Sequence, residues 1–335
     1  MRTRHHVLAA ALACLTPSFA DAQLVACTIT GPAAIRGYAA DACQKSADMF
    51  SFMIPQFAQA LTGGGAIPGT ANTLGGLGKF SFNVRVTAVD GRVPDVDAIT
   101  LSASGAQASR LATKKSPVPA PVVDVGVGIL PGFRVGRTKL FSLDGVVNVV
   151  YLPDVSVDKL NVVVPKDRVK LGYGGRLGIT RDGRMVPAIS ASFIRRELPS
   201  SNITADFQGG TGATNQLSLT GFTVRSDAIR VSISKRFGFL ELGGGAGRDT
   251  YQTQLNIGAT VNQGGNTGTA AYAIKQEVKR DVAYVSAAFN LPFLKLSAEV
   301  GQASGGTTLS TYNAFVDGGQ TDARRFGTAG IRFSF

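Results

Sequence analysis

The chain has no tryptophan, two histidines and three cysteines in 335 residues, and it has no apolar run approaching the roughly 18 residues that a membrane helix needs. The absence of such a run excludes a helical membrane protein. Both histidines, His5 and His6, and one cysteine, Cys14, fall in a stretch built like a secretory signal. Arg2 and Arg4 lead it, an apolar run follows from Val7 to Leu15, and Ala20, Asp21 and Ala22 form a small-residue exit. Cleavage before Gln23 by a Sec-type route leaves a mature chain with no imidazole. Read as a lone anchor, the run is too short and is followed by Pro17. Read as a lipobox, Leu24 to Cys27 sits too far beyond the apolar run, past Asp21 and Gln23.

These absences bear on chemistry. Without histidine, a serine nucleophile lacks its usual base, and no motif marks a serine-lysine substitute. Cys27 and Cys43 have no further cysteine or histidine to make a metal set, so no metal site is expected. In an oxidising compartment they read as one disulfide, worth about 3 kcal/mol for a short loop. "GGLGKF", Gly75 to Phe80, lacks the spacing of a phosphate loop and precedes a strand; "GGGAG", Gly243 to Gly247, reads as relief of crowding inside a strand. The sequence therefore predicts no enzyme and no cofactor. The net charge of +12 is spread singly or in pairs through β-type segments, with no stacking platform, which argues against nucleic acid as a partner.

What the chain does have is alternation. In "KFSFNVRVTAV", Phe80, Phe82, Val84 and Val86 oppose Ser81, Asn83, Arg85 and Thr87. The same period of two recurs in "VKLGYGGRLGIT", "IRVSISKR", "FLKLSAEV" and the terminal "RRFGTAGIRFSF". These segments run to about 10 residues or more, the length of a tilted strand crossing a bilayer. A sheet in lipid must close on itself, because an open edge leaves unpaired backbone groups in hydrocarbon. Tight turns near Gly183, Gly238 and Pro292 alternate with long polar stretches at 197–213, 263–268 and 303–321, the short ones expected on the periplasmic side. The expectation is an all-β, transmembrane antiparallel β-barrel over residues 78–335. Ten strands are counted: 78–90, 118–130, 141–152, 166–181, 184–196, 214–237, 239–262, 269–290, 293–303 and 323–335. Segments 99–104 and 158–164 would raise the count to twelve, within a range of ten to fourteen.

The ending resembles the terminal strand of Gram-negative outer-membrane proteins, which typically finish on Phe with apolar or aromatic residues at alternate positions. The resemblance implies an outer-membrane location among lipid and lipopolysaccharide. It also implies recognition by the barrel-assembly machinery through Ile331, Phe333 and Phe335. Residues 23–77 differ from the barrel. "DACQKSADMFSFMIPQFAQAL", Asp41 to Leu61, is helix-like with a kink expected at Pro55, and "TGGGAIPGTANTLGGLG" reads as a flexible connector. The helix is either a lumen plug or an amphipathic element under the barrel. An N-terminal plug followed by tall strands resembles the outer-membrane long-chain fatty-acid transporter family, which implies transport of hydrophobic molecules. The family's Asn-Pro-Phe stretch is absent, and no ligand residues carry over.

Two sets of charged residues are candidates for function. Arg85, Asp124, Arg176, Arg230, Lys295, Glu299 and Arg332 fall on polar strand faces and should line the lumen, either attracting anions or filling the barrel as ion pairs. Lys114, Lys115, Arg195, Arg196, Arg324 and Arg325 fall near the outer strand ends. They form either a collar for lipopolysaccharide phosphates or a solvated rim. Function remains open between a channel for small hydrophobic or anionic molecules and a closed barrel acting through its surface loops.

Overall fold

Alternation decides the architecture because each strand has one face for lipid and one for the interior. In the computed structural model, which describes residues 24–136, 138–157, 160–305, 311–319 and 322–335, ten antiparallel strands close into a ring. They are β1 (Phe80–Val89), β2 (Val118–Leu130), β3 (Thr138–Tyr151), β4 (Val169–Thr180), β5 (Ala188–Glu197), β6 (Asn215–Phe237), β7 (Leu240–Gln263), β8 (Asn266–Asn290), β9 (Leu294–Ser304) and β10 (Arg324–Ser334). Each pairs with the next, and β10 returns to β1 in a ladder from Phe326–Val89 to Ser334–Ser81. The closed ring is the architecture of an outer-membrane β-barrel.

Its sidedness is inverted relative to a soluble protein. On β1, Phe80, Phe82, Val84 and Val86 are exposed while Ser81, Asn83, Arg85 and Thr87 are buried. The seam is closed at the rim by the C-terminus: Phe80 and Phe335 exchange both backbone hydrogen bonds and stack their rings 4.9 Å apart. Short connections, such as the one at Gly238, lie on this rim, as the periplasmic turns of outer-membrane barrels do. From Phe335 to Arg325, β10 climbs roughly 33 Å along the strand, or about 25 Å of height at the usual tilt, the depth of an outer-membrane apolar band.

Strands β6, β7 and β8 are 23, 24 and 25 residues long and rise well above that band. Where they leave it, their polarity reverses without a change of phase. Along β7 the outward residues change from Leu242, Gly244 and Ala246 to Arg248, Gln252 and Gln254, while the inward ones change from Glu241 and Asp249 to Tyr251, Leu255 and Ile257. The upper wall is therefore built like a soluble sheet, with water outside and an apolar core within. The 263–268 stretch, expected as a long loop, is the two-residue turn Gly264–Gly265. Both glycines have positive φ, 55° and 77°, as the tight hairpin requires.

That core is the N-terminal helix. Helix α1 (Ala33–Thr62) spans 30 residues, about 45 Å, and runs down inside the barrel. One side packs Phe50, Ile54, Ala58 and Leu61 against Phe222, Val224, Tyr251 and Ile257 of the tall wall. The other packs Met49 and Phe52 under Ile99, Leu111 and Phe315 of the outer loops. Because both sides are covered, the helix is longer than 41–61 and passes through Pro55 without ending there. It starts at the outer tip, where Thr28–Thr30 adds a short strand to Thr269–Ala271 of β8 and Cys27 is joined to Cys43. The chain thus enters from the outer end and reaches the periplasmic rim at β1. Leu160–Val163 is a strand, but it pairs with the outer-loop ladder at Asn202–Ala205 and lies outside the ring. Residues 99–104 form no strand. Residues 1–22, the expected signal, lie outside the described residues.

Candidate functional site

The polar lumen faces of the strands meet the end of α1 and the segment after it, and three tiers of contacts result. In the middle tier, α1 ends with no basic residue in its last turn, so its terminal carbonyls need donors from elsewhere. Two wall arginines supply them. Arg85 donates to the Leu61 and Thr62 carbonyls at 3.1 Å each, and to Asp124 at 3.0 Å. Arg230 donates to the Gly64 and Gly63 carbonyls at 3.1 and 3.4 Å, and to Asp249 at 2.9 Å. Cations at a helix C-terminus are also favoured by its dipole. Opposite them, the Glu299 carboxylate accepts the Gly65 and Gly69 amides at 3.0 and 3.2 Å.

The glycines are what let the backbone approach the wall this closely. Gly63 has φ 61°, and a Cβ there would lie 2.6 Å from the Arg85 guanidinium; one on Gly64 would lie 2.5 Å from a Glu299 oxygen. The 63–77 stretch expected to be a loose connector is packed for most of its length.

In the lower tier the segment continues as a bonded strap. The Thr70 hydroxyl donates to Glu241 at 2.6 Å, the Ala71 amide to Ser234 at 2.9 Å, and the Leu74 amide to Asp144 at 3.0 Å. Arg176 bridges Asp144 at 2.8 Å, and Lys295 pairs with Glu241. Arg332 sits within electrostatic range of Glu241 and Asp144. All seven sequence-selected lumen residues lie on inward faces, and Arg85, Asp124, Arg176, Arg230, Lys295 and Glu299 are buried. All but Arg332 are consumed by ion pairs and by the strap. The acids Asp144, Glu241 and Asp249, which complete these pairs, were missed; the available signal was their inward phase, with Asp144 directly opposite Arg176.

The upper tier holds the outer loops onto α1. Asp41 accepts the amides of Ser102 and Gln107 at 2.8 and 3.0 Å and pairs with Lys45. Asp48 accepts the amides of Asn313 and Tyr312 at 2.9 and 3.2 Å. Burial raises the Asp48 carboxyl above its ordinary value, against the pull of its bonds from Asn313, Gln44 and Tyr312.

The collar candidates separate into three groups. Arg195 faces outward, bonded to Asp227 at 2.6 Å and lying over the Tyr173 ring, and Arg325 is exposed on β10. Arg196 and Arg324 do not belong with them. Each is one residue out of phase, so it points inward: Arg196 is 1% exposed and reaches Asp124 at 3.3 Å, and Arg324 lies over Phe52. Lys114 and Lys115 lie in a small ladder of the first outer loop, where the Asp95 carboxylate, 2.8 Å away, raises Lys114 above the usual lysine value. Ile331, Phe333 and Phe335 are exposed on the lipid-facing side of the closing seam.

No protein-family profile matches the chain, and no curated protein matches its sequence. Among solved structures it is similar to the outer-membrane protease OmpT from Escherichia coli, with 10% identity over 77% of this chain and 97% of that one, TM-score 0.34. It is also similar to the toluene transporter TodX of Pseudomonas putida, with 10% identity over 83% and 96%, TM-score 0.29. A third is the β domain of the Bordetella autotransporter BrkA, with 10% identity over 77% and 99%, TM-score 0.30.

Proposed function

We infer that the chain is an exported outer-membrane barrel, sealed by its own N-terminal segment, that works through its extracellular extension and not as a standing pore. One observation carries this reading: within the membrane band, the segment from Leu61 to Leu74 is hydrogen-bonded to wall side chains in both the middle and the lower tier. Two of the cations an open anion channel would use, Arg85 and Arg230, are turned onto its carbonyls. Passage of a small hydrophobic or anionic molecule requires this strap to leave the lumen. Export through the signal at residues 1–22 and assembly through the terminal Phe belong to the same reading. Catalysis and a cofactor do not.

Planar-bilayer conductance and liposome swelling test it. The intact protein should give no stable conductance steps, and a chain lacking residues 23–77 should give large ones. Steady conductance from the intact, heat-modifiable protein would overturn the sealed-barrel reading and restore the channel.

A further inference from the structure

Just above the membrane boundary, the outer wall carries a hollow of about 750 Å³. Its position follows from the polarity reversal: the outward ion pairs Arg195–Asp227 and Arg248–Asp281, each between direct cross-strand partners, mark the boundary. The floor of the hollow is the next set of outward residues upward. Arg225 is opposite Gln252 and Thr223 opposite Gln254; Gln252 is in turn opposite Glu277, and Gln254 opposite Lys275. Lys170, Glu197 and Ser200 flank it. The site therefore spans several strands at one height, facing the layer occupied by outer-leaflet headgroups.

The chemistry of this floor is specific. Two amides and two carboxylates, Gln252, Gln254, Glu197 and Glu277, supply donors and acceptors side by side, which is what sugar hydroxyls require. Arg225, Lys170 and Lys275 add charge that suits phosphate. The Arg225 side chain is 38% exposed and its contact with Asp227 is long, 3.9 Å. The acids Glu197, Glu277 and Asp227 offset part of the positive charge, so the hollow is not a general anion patch. Its mixed polarity matches a saccharide carrying phosphate. Immediately below, Leu171 and Tyr173 are exposed at 65% and 57% on the lipid-facing side, and Arg195 lies over the Tyr173 ring. A ligand seated in the hollow would thus have apolar wall beneath it for acyl chains.

We propose that this hollow binds the phosphorylated sugar headgroup of an outer-leaflet glycolipid, lipopolysaccharide, with its acyl chains descending along β4 and β5. Arg225 and Lys275 hold phosphate, and Gln252, Gln254 and Glu277 hold sugar hydroxyls. This rests on the outer-membrane reading and deepens it. It is independent of whether the lumen conducts.

Purified intact protein in detergent is loaded with lipopolysaccharide of short saccharide core, and bound glycolipid is counted by native mass spectrometry. Parallel samples receive phosphatidylglycerol or dephosphorylated lipopolysaccharide. The wild type should retain the phosphorylated glycolipid, and R225A/K275A should retain it at least tenfold less. Q254W, which fills the hollow from an exposed position and leaves all charges in place, should lose it too. Heat-modifiable migration confirms that each variant is a folded barrel, so failure of the barrel reading is seen separately. Equal retention by wild type and both folded variants would overturn the proposal. Equal retention of phosphatidylglycerol would also do so, by reducing the site to a charged membrane surface.

Discussion

Replacing Glu299 with Gln should loosen the strap while sparing the barrel. The carboxylate is 2% exposed and accepts two amides, Gly65 and Gly69, one on each oxygen. Glutamine has one oxygen, so one amide keeps a neutral bond and the other faces an NH₂ group. A buried amide without an acceptor costs about 1–3 kcal/mol, and the surviving bond loses the extra strength of a charged acceptor, about 1 kcal/mol. The sum, about 3 kcal/mol, makes local opening of residues 63–73 easier by about 100-fold, since each 1.4 kcal/mol is roughly a factor of ten. Hydrogen exchange with mass-spectrometric readout measures this directly when exchange follows local opening. Peptides covering Gly65 and Gly69 should exchange about 100-fold faster in the variant, while β6 to β8 stay protected. A change below about threefold would refute the reasoning. It would mean that Ala66 and Ile67, packed on Val146 and Ile194, hold the strap instead.

Three further outcomes follow from the geometry. An epitope inserted after Ala26 should be accessible to antibody on intact cells, because the chain enters at the outer tip; signal only after permeabilisation would reverse the assigned orientation. Non-reducing peptide mapping should recover Cys27 linked to Cys43, and C27S/C43S should weaken the anchoring of Thr28–Thr30 by about 3 kcal/mol of loop closure, seen as faster exchange at residues 28–30. Finally, F335S should slow assembly and lower the temperature at which heat-modifiable migration is lost, because it removes the stacking partner of Phe80 at the seam; unchanged assembly and melting would show the terminal ring to be dispensable.

The ten strands, their inverted sidedness and the short-turn rim were legible in the sequence because side chains alternate with period two and lipid tolerates only one face. The same pattern put Arg85, Arg176 and Arg230 in the lumen. It also contained the membrane boundary, where β7 changes between Arg248 and Tyr251 from polar-in to polar-out, a signal that needs only the phase of one strand. Phase likewise separates Arg195 from Arg196 and Arg325 from Arg324, which nearness to a strand end does not. What the alternation could not supply was the place of residues 24–78. A helix bearing Asp41, Lys45 and Asp48 beside Met49, Phe50 and Phe52 satisfies no single amphipathic pattern, since Asp41 and Lys45 pair with each other and all three are hydrogen-bonded to groups distant in sequence. Only closure of the barrel brings Asn313 to Asp48, Arg230 to Gly64 and Glu299 to Gly65. Alternation sufficed for a barrel with charged walls; that its lumen is filled emerges only when the strands close, because backbone groups of one segment become the hydrogen-bond partners of side chains more than 150 residues away.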